Sequence, residues 1–131
     1  MEHVSYMHSD RIDEANALLT AASALGARWW HYTASLNSFE LVVGEPSSSS
    51  NIVLVMASCM SIAGPTLWNT QRLRVRAEPA GPGAPGSTIF ELRDEAVGFS
   101  ARSNMFTFKR GWDLLKTGSV MFPRGWQAES T

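Results

Sequence analysis

The densest run of side chains able to do chemistry is Trp29-Trp30-His31-Tyr32. In an extended chain, alternate residues face opposite sides. Trp30 and Tyr32 then share one face, and Trp29 and His31 share the other. One pair can enter a core, while the other needs a covering element, a partner or a ligand. A second set is Arg72, Arg74 and Arg76, at every second position. That spacing puts three guanidiniums on one sheet face, roughly 7 Å apart. Guanidinium forks match carboxylates and phosphates in a bidentate way. The alternative is a solvated outer face whose charges oppose edge-to-edge aggregation. The third set lies in the carboxyl segment, where Phe106, Phe108, Lys109, Arg110, Trp112, Lys116, Phe122, Arg124 and Trp126 mix aromatics with bases. From Arg102 to Arg124 there are five basic residues and one acid, Asp113. Aromatics beside bases stack nucleobases or anchor protein interfaces. Trp112 and Trp126 are the candidates there, and Phe106 and Phe108 read as core.

Nucleophilic chemistry finds little support. Cys59 is the only cysteine and ends an apolar run, where a thiol acts as a small hydrophobe. His3, His8 and His31 show no spacing relation to it. Metal sites need about four ligands in a recognisable spacing, and none is visible. Glu91, Asp94 and Glu95 read as a solvated strand end and turn, because neighbouring strand residues point apart. Gly81, Gly83 and Gly86 are interleaved with prolines, which lack the amide donors that a phosphate-cradling loop uses. No Gly-x-Ser-x-Gly elbow occurs. The expectation is no catalytic set, no metal and no cofactor, although distant positions can still assemble a site.

The elements that must position these residues follow from periodicity. Ile12, Ala15, Leu18, Leu19, Ala22 and Leu25 recur at offsets of three and four, predicting a helix over 10–25. Ser9 or Asp10 caps it and Gly26 stops it. The period then becomes two. Strands are predicted over 30–36 and 39–43, as a pair joined at Asn37 or as one bulged strand. Ile52 to Cys59 reads as a central strand covered on both faces. Gly64-Pro65 breaks the chain. Arg72 to Glu78 alternates cleanly, with Leu73, Val75 and Ala77 opposite the arginines. Residues 79–87 are an exposed Pro/Gly hairpin loop. Strands follow over 88–92, 97–101 and 105–108, with turns at Asp94-Glu95 and Ser103-Asn104. A short helix is expected over 111–116, and 127–131 form a loose tail.

The chain has 131 residues and a net charge of -1, which fits one domain and argues against nucleic-acid binding by bulk charge. The expected fold class is α+β: a single domain over 1–131, with the N-terminal helix packed on a mostly antiparallel, curved sheet of five or six strands. Short connections favour that meander. The start, Met1-Glu2-His3-Val4, lacks a signal-peptide pattern. No run approaches the about 20 apolar residues of a membrane helix. One cysteine fits a reducing compartment, so a cytoplasmic location is expected.

His31-Tyr32-Thr33-Ala34-Ser35, Phe39-Glu40-Leu41, Asn51-Ile52-Val53-Leu54, Ser58-Cys59, Ile62, Gly64-Pro65 and Trp68 carry a resemblance over the middle half of the chain. In these residues it resembles small uncharacterised bacterial proteins found on gene cassettes and other mobile elements. The resemblance implies no activity and transfers no functional residue. The residues themselves point first to a non-catalytic binding or protein-interaction module. Its partner is expected to be a second copy, paired through a strand edge such as 72–78, or another protein. The alternatives are a small-molecule site or enzyme pocket near Trp30, His31 and Tyr32, and a nucleic-acid accessory role for the basic sets.

Overall fold

A computed structural model describes residues 11–34, 37–79, 81 and 87–120. Helix α1 (Ile12–Ala21) precedes strands β1 (Gly26–Thr33), β2 (Ser38–Val43), β3 (Ile52–Ala63), β4 (Leu67–Asn69), β5 (Arg74–Pro79), β6 (Thr88–Asp94) and β7 (Phe99–Arg110), and a short helix α2 (Leu114–Thr117) follows. The fold is α+β, with one helix packed on a single curled antiparallel sheet in the order β4-β1-β2-β3-β7-β6-β5. Seven strands replace the expected five or six. One difference adds a strand and another removes one. Leu67–Asn69 pairs with Gly26–Arg28 beyond the Gly64-Pro65 break. The segments 97–101 and 105–108 are not two strands, because no turn forms at Ser103-Asn104. Ser103 is buried and its hydroxyl donates to Met105 O, and the chain stays in the sheet from Phe99 to Arg110.

Helix α1 is shorter than its apolar stripe. Thr70 ends it: the Thr70 hydroxyl donates to Ala22 O and Leu25 O, and Thr70 O accepts from Ala24 N. Ala24 is thereby held at φ 76, and Gly26 belongs to β1. The predicted caps Ser9 and Asp10, most of the Pro/Gly loop, and the tail with Trp126 lie outside the described residues.

Inward residues of every strand meet α1 in one core. Ile12, Ala15, Leu19 and Ala22 pack with Phe39, Leu41, Leu54, Met56, Val75, Leu92 and Phe106. Burying one such large side chain contributes about 1.5–3 kcal/mol. The rings show how far the sheet curls. Trp68 on β4 stacks on Phe99 of β7 at 4.6 Å, although three strands separate them in the sheet. Phe39 continues this row to Trp29, edge to face at 4.7 Å. Irregular positions permit the curl: Ser58 sits at φ 54, and the β3–β7 register shifts between Cys59 and Ser61.

The curl brings the sheet's two end strands together. β4 and β5 are consecutive in sequence, and the stretch from Asn69 to Arg74 spans at most about 18 Å. Asp94 fixes that link. Its fully buried carboxylate accepts from Trp68 Nε1 (3.0 Å), Gln71 N (2.9 Å) and Arg72 N (3.1 Å). The expectation of a solvated Asp94 is therefore wrong, because the curl folds the β4–β5 link over it.

The outer face carries a second, smaller core. Val42, Val53 and Val55 are covered by Leu114 and Val120, with Trp30 and Trp112 at its margin. Gly111 lets the chain turn back over this face: at φ +70, a Cβ there would lie 2.6 Å from Ser49 O. No helix among the described residues is long and apolar enough to cross a membrane.

Candidate functional site

The aromatic run on β1 does not alternate as its spacing predicts. A bulge between Trp29 and His31 shifts the register, pairing Trp29 with Leu41 but His31 with Glu40. The extra residue puts Trp30 and His31 together on the outer face, and Trp29 and Tyr32 together on the inner side. Trp29 is partly buried against the core and donates Nε1–H to Pro65 O (3.1 Å). Tyr32 stays half exposed and shares with Trp29 an open cleft of about 390 Å³, also lined by Asn37, Cys59, Met60 and Ile62. Burial pushes the Cys59 thiol from 9.0 up to about 11, so it is protonated at neutral pH and a weak nucleophile.

Trp30 and Trp112 hold down the carboxyl segment. Trp30 Nε1 donates to Gly118 O (2.8 Å), and Trp112 Nε1 donates to Thr117 Oγ1 (2.8 Å). Fully buried Asn51 clamps the backbone of Trp112 from both sides, at 3.0 and 2.9 Å. Buried Glu40 receives Ser119 Oγ at 2.6 Å and Val120 N at 2.8 Å, with His31 Nδ1 at 3.9 Å. This trio has the residue types of a hydrolytic triad but not its connectivity. In such a triad the hydroxyl hands its proton to the imidazole. Here the buried hydroxyl donates to the carboxylate, so the arrangement acts as a latch.

The arginine set is where exposed charge converges. Val75 enters the core, so Arg74 and Arg76 emerge on the outer face of β5. Arg72 precedes the strand but lines the same groove, of about 280 Å³, with Arg74, Arg76, Glu91, Arg93 and Glu95. Arg74 stands opposite Arg93, and Arg76 opposite Glu91. The Arg76 Nε–Glu91 Oε1 distance is 3.1 Å, and Arg93 Nε–Glu95 Oε1 is 3.7 Å. Arg74 Nη1 donates to Leu73 O (2.7 Å). No carboxylate among the described residues pairs with Arg72 or Arg74. Four guanidiniums against two carboxylates leave two positive charges in excess.

Arg93 escaped sequence reasoning, although alternation with Phe90 and Leu92 points it outward. The Pro-rich loop leaves the hairpin register open, so its pairing with Arg74 is not readable. Trp112 and the arginines occupy the same sheet face but do not adjoin: Trp112 covers β2–β3, and β7 lies between it and the groove. No group of three or more His, Cys, Asp or Glu suited to a metal occurs among the described residues. The chain matches no protein-family model, no curated protein and no solved structure.

Proposed function

We propose that this chain is a non-catalytic binding module that takes an acidic segment of a partner protein in the groove on the outer face of β5 and β6. The observation that carries the reading is the groove's two excess positive charges, with Arg72 and Arg74 lacking carboxylate partners among the described residues. Exposed arginines are rich in donors and favoured at interfaces. An acidic protein suits the groove better than a nucleic acid. Among the described residues no aromatic side chain lines it to stack a base, and Glu91 and Glu95 interrupt the positive field that a phosphate backbone tracks. The reading keeps the chain in the cytoplasm, where its single thiol stays reduced.

A second copy of the chain is the other partner expected from sequence, by strand addition at β5. That edge is largely occupied. Asn16 of α1 donates to Val75 O (2.7 Å) and accepts from Val75 N (2.9 Å), as a neighbouring strand would. Arg74 takes Leu73 O, and Pro79 has no amide to offer. Among the outward positions, Ala77 remains. A homodimer built on this edge must displace Asn16.

The test is fluorescence anisotropy with a labelled oligo-glutamate peptide at low salt, with single-stranded DNA of equal charge as competitor. Salt-sensitive peptide binding that Arg74→Glu with Arg93→Glu abolishes is the expected result. No peptide binding, or a clear preference for DNA, overturns the reading. The Trp29–Tyr32 cleft supports a second reading, a site for a small apolar ligand, because Met60 and Tyr32 are half exposed at its rim. Quenching of Trp29 emission by a bound compound, lost in Tyr32→Ala, tests that reading.

A further inference from the structure

The row of side chains that crosses the sheet at Arg76 alternates in sign. Arg76 stands opposite Glu91, and Glu91 opposite Arg102. This is the arrangement a sheet surface favours. The next row breaks the rule: Arg74 stands opposite Arg93, and Arg93 opposite Ser100. The register sets the geometry of the conflict. Val75 turns its amide and carbonyl outward to Asn16, so the Arg74 backbone faces β6. Arg74 and Arg93 therefore form a pair with Cα atoms about 5.5 Å apart. Like charges directly opposite each other destabilise a sheet. Compensation within the chain is slight. Glu91 is committed to Arg76 at 3.1 Å. Glu95 reaches Arg93 only at 3.7 Å, with its side chain 64% exposed, where an ion pair is weak. Arg72, the third guanidinium of this corner, is exposed and unpaired among the described residues. Local rules broken with so little compensation are expected at functional sites.

We propose that Arg72, Arg74 and Arg93 form a phosphate-binding corner that reads a phosphorylated side chain in the partner's acidic segment. The proposal rests on the binding-module reading and specifies its ligand. A phosphate monoester carries about -1.5 to -2 charges at neutral pH and three acceptor oxygens. It can neutralise both excess charges of the groove, where a single carboxylate neutralises one. Arg74 and Arg93 stand on neighbouring strands, and each guanidinium, released from Leu73 O or Glu95, can donate two parallel bonds to a phosphate. Arg76 already has its anion and is not part of the corner.

The experiment is calorimetric titration of the full chain, in phosphate-free buffer, with three versions of one acidic peptide carrying phosphoserine, glutamate or serine at its centre. Inorganic phosphate serves as a fourth probe. The phosphoserine peptide is expected to bind about tenfold or more tighter than the glutamate peptide, the scale of one added charge-assisted hydrogen bond. Arg74→Gln and Arg93→Gln are expected to erase that preference, and Arg76→Gln to retain it. Arg93→Lys, which keeps charge but loses the fork, should retain part of it. Equal binding of phosphoserine and glutamate peptides overturns the phosphate corner while the acidic-segment reading stands. Absence of all peptide binding overturns both. Binding of inorganic phosphate with no phosphopeptide preference assigns the corner to a small free phosphate and overturns the protein-borne ligand. Loss of preference in Arg76→Gln to the same degree as in Arg74→Gln refutes the assignment of residues.

Discussion

Replacing Asp94 by alanine tests the most consequential contact in the fold. One buried carboxylate holds the indole of Trp68 and two consecutive amides, of Gln71 and Arg72. Hydrogen bonds to a charged group contribute about 1.5–3 kcal/mol each. Simple addition overstates the loss, because Gln71 and Arg72 are exposed and their amides can rebind water. The Trp68 indole is buried and has less recourse. Asp94→Ala is therefore expected to cost about 3–5 kcal/mol, less than the sum of three such bonds because two of the amides regain water. That is a large share of a domain stability of about 5–15 kcal/mol. Asp94→Asn should fall between the two. Its oxygen can still serve Trp68 and Gln71, but its amide then meets the Arg72 N–H donor to donor. The assay is equilibrium urea unfolding followed by tryptophan emission and by far-ultraviolet circular dichroism, with hydrogen exchange at Gln71 and Arg72. An Asp94→Ala protein within about 1 kcal/mol of the parent, with unchanged exchange at those amides, would refute the idea that this carboxylate ties the sheet ends together.

Three further outcomes are expected. Glu40→Ala leaves the Ser119 hydroxyl and the Val120 amide without this acceptor in a buried position. Limited proteolysis should then cut between 112 and 120 while the β-sheet circular dichroism persists. Asn16→Ala strips the edge of β5 and should cost about 1–2 kcal/mol. It should also raise self-association in sedimentation velocity, and unchanged association would show that Asn16 does not guard the edge. Cys59 is expected to react with iodoacetamide about a hundredfold slower in the folded chain than in urea at pH 8, following the shift from 9.0 to about 11. A thiol whose pKa is raised by folding keeps its proton longer in the folded state. Stability should thus fall as pH climbs from about 9 towards 11, and Cys59→Ser should flatten that part of the profile.

Much of this architecture was legible in the sequence because it is local. The α1 stripe, the apolar run of β3 and the alternation of β5 each express one period over a short window. The readings that failed depend on partners distant in the chain. Thr70 ends α1 early by bonding Ala22 and Leu25 across 45 or more positions, so no local cap signals the stop. The bulge at Trp30 inverts the facing of His31 and Tyr32, and nothing in Trp-Trp-His-Tyr reveals an extra residue. The three-residue β4 is too short to show a period and forms against β1 as the sheet curls. At the candidate site, Arg74 and Arg76 were readable from spacing alone. Arg93 needed the hairpin register, which a loop of prolines and glycines does not set. Asp94 read as a solvated turn acid because burial of a charge is decided by what folds over it.

The place of β7 between β3 and β6 has a consequence for how the chain comes off the ribosome. The meander of β1, β2 and β3 is made from neighbouring segments, and so is the hairpin of β5 and β6. Neither block touches the other in the sheet until β7 lies between them. Until residues 99–110 have left the ribosome, the apolar segment Ile52–Met56 is a sheet edge without its β7 partner. Long unpaired edges recruit other chains. The interval before β7 emerges is thus the nascent protein's most hazardous period, and a message truncated anywhere in it yields an aggregating product. Slowing that delays the emergence of residues 99–110 would lengthen that exposure.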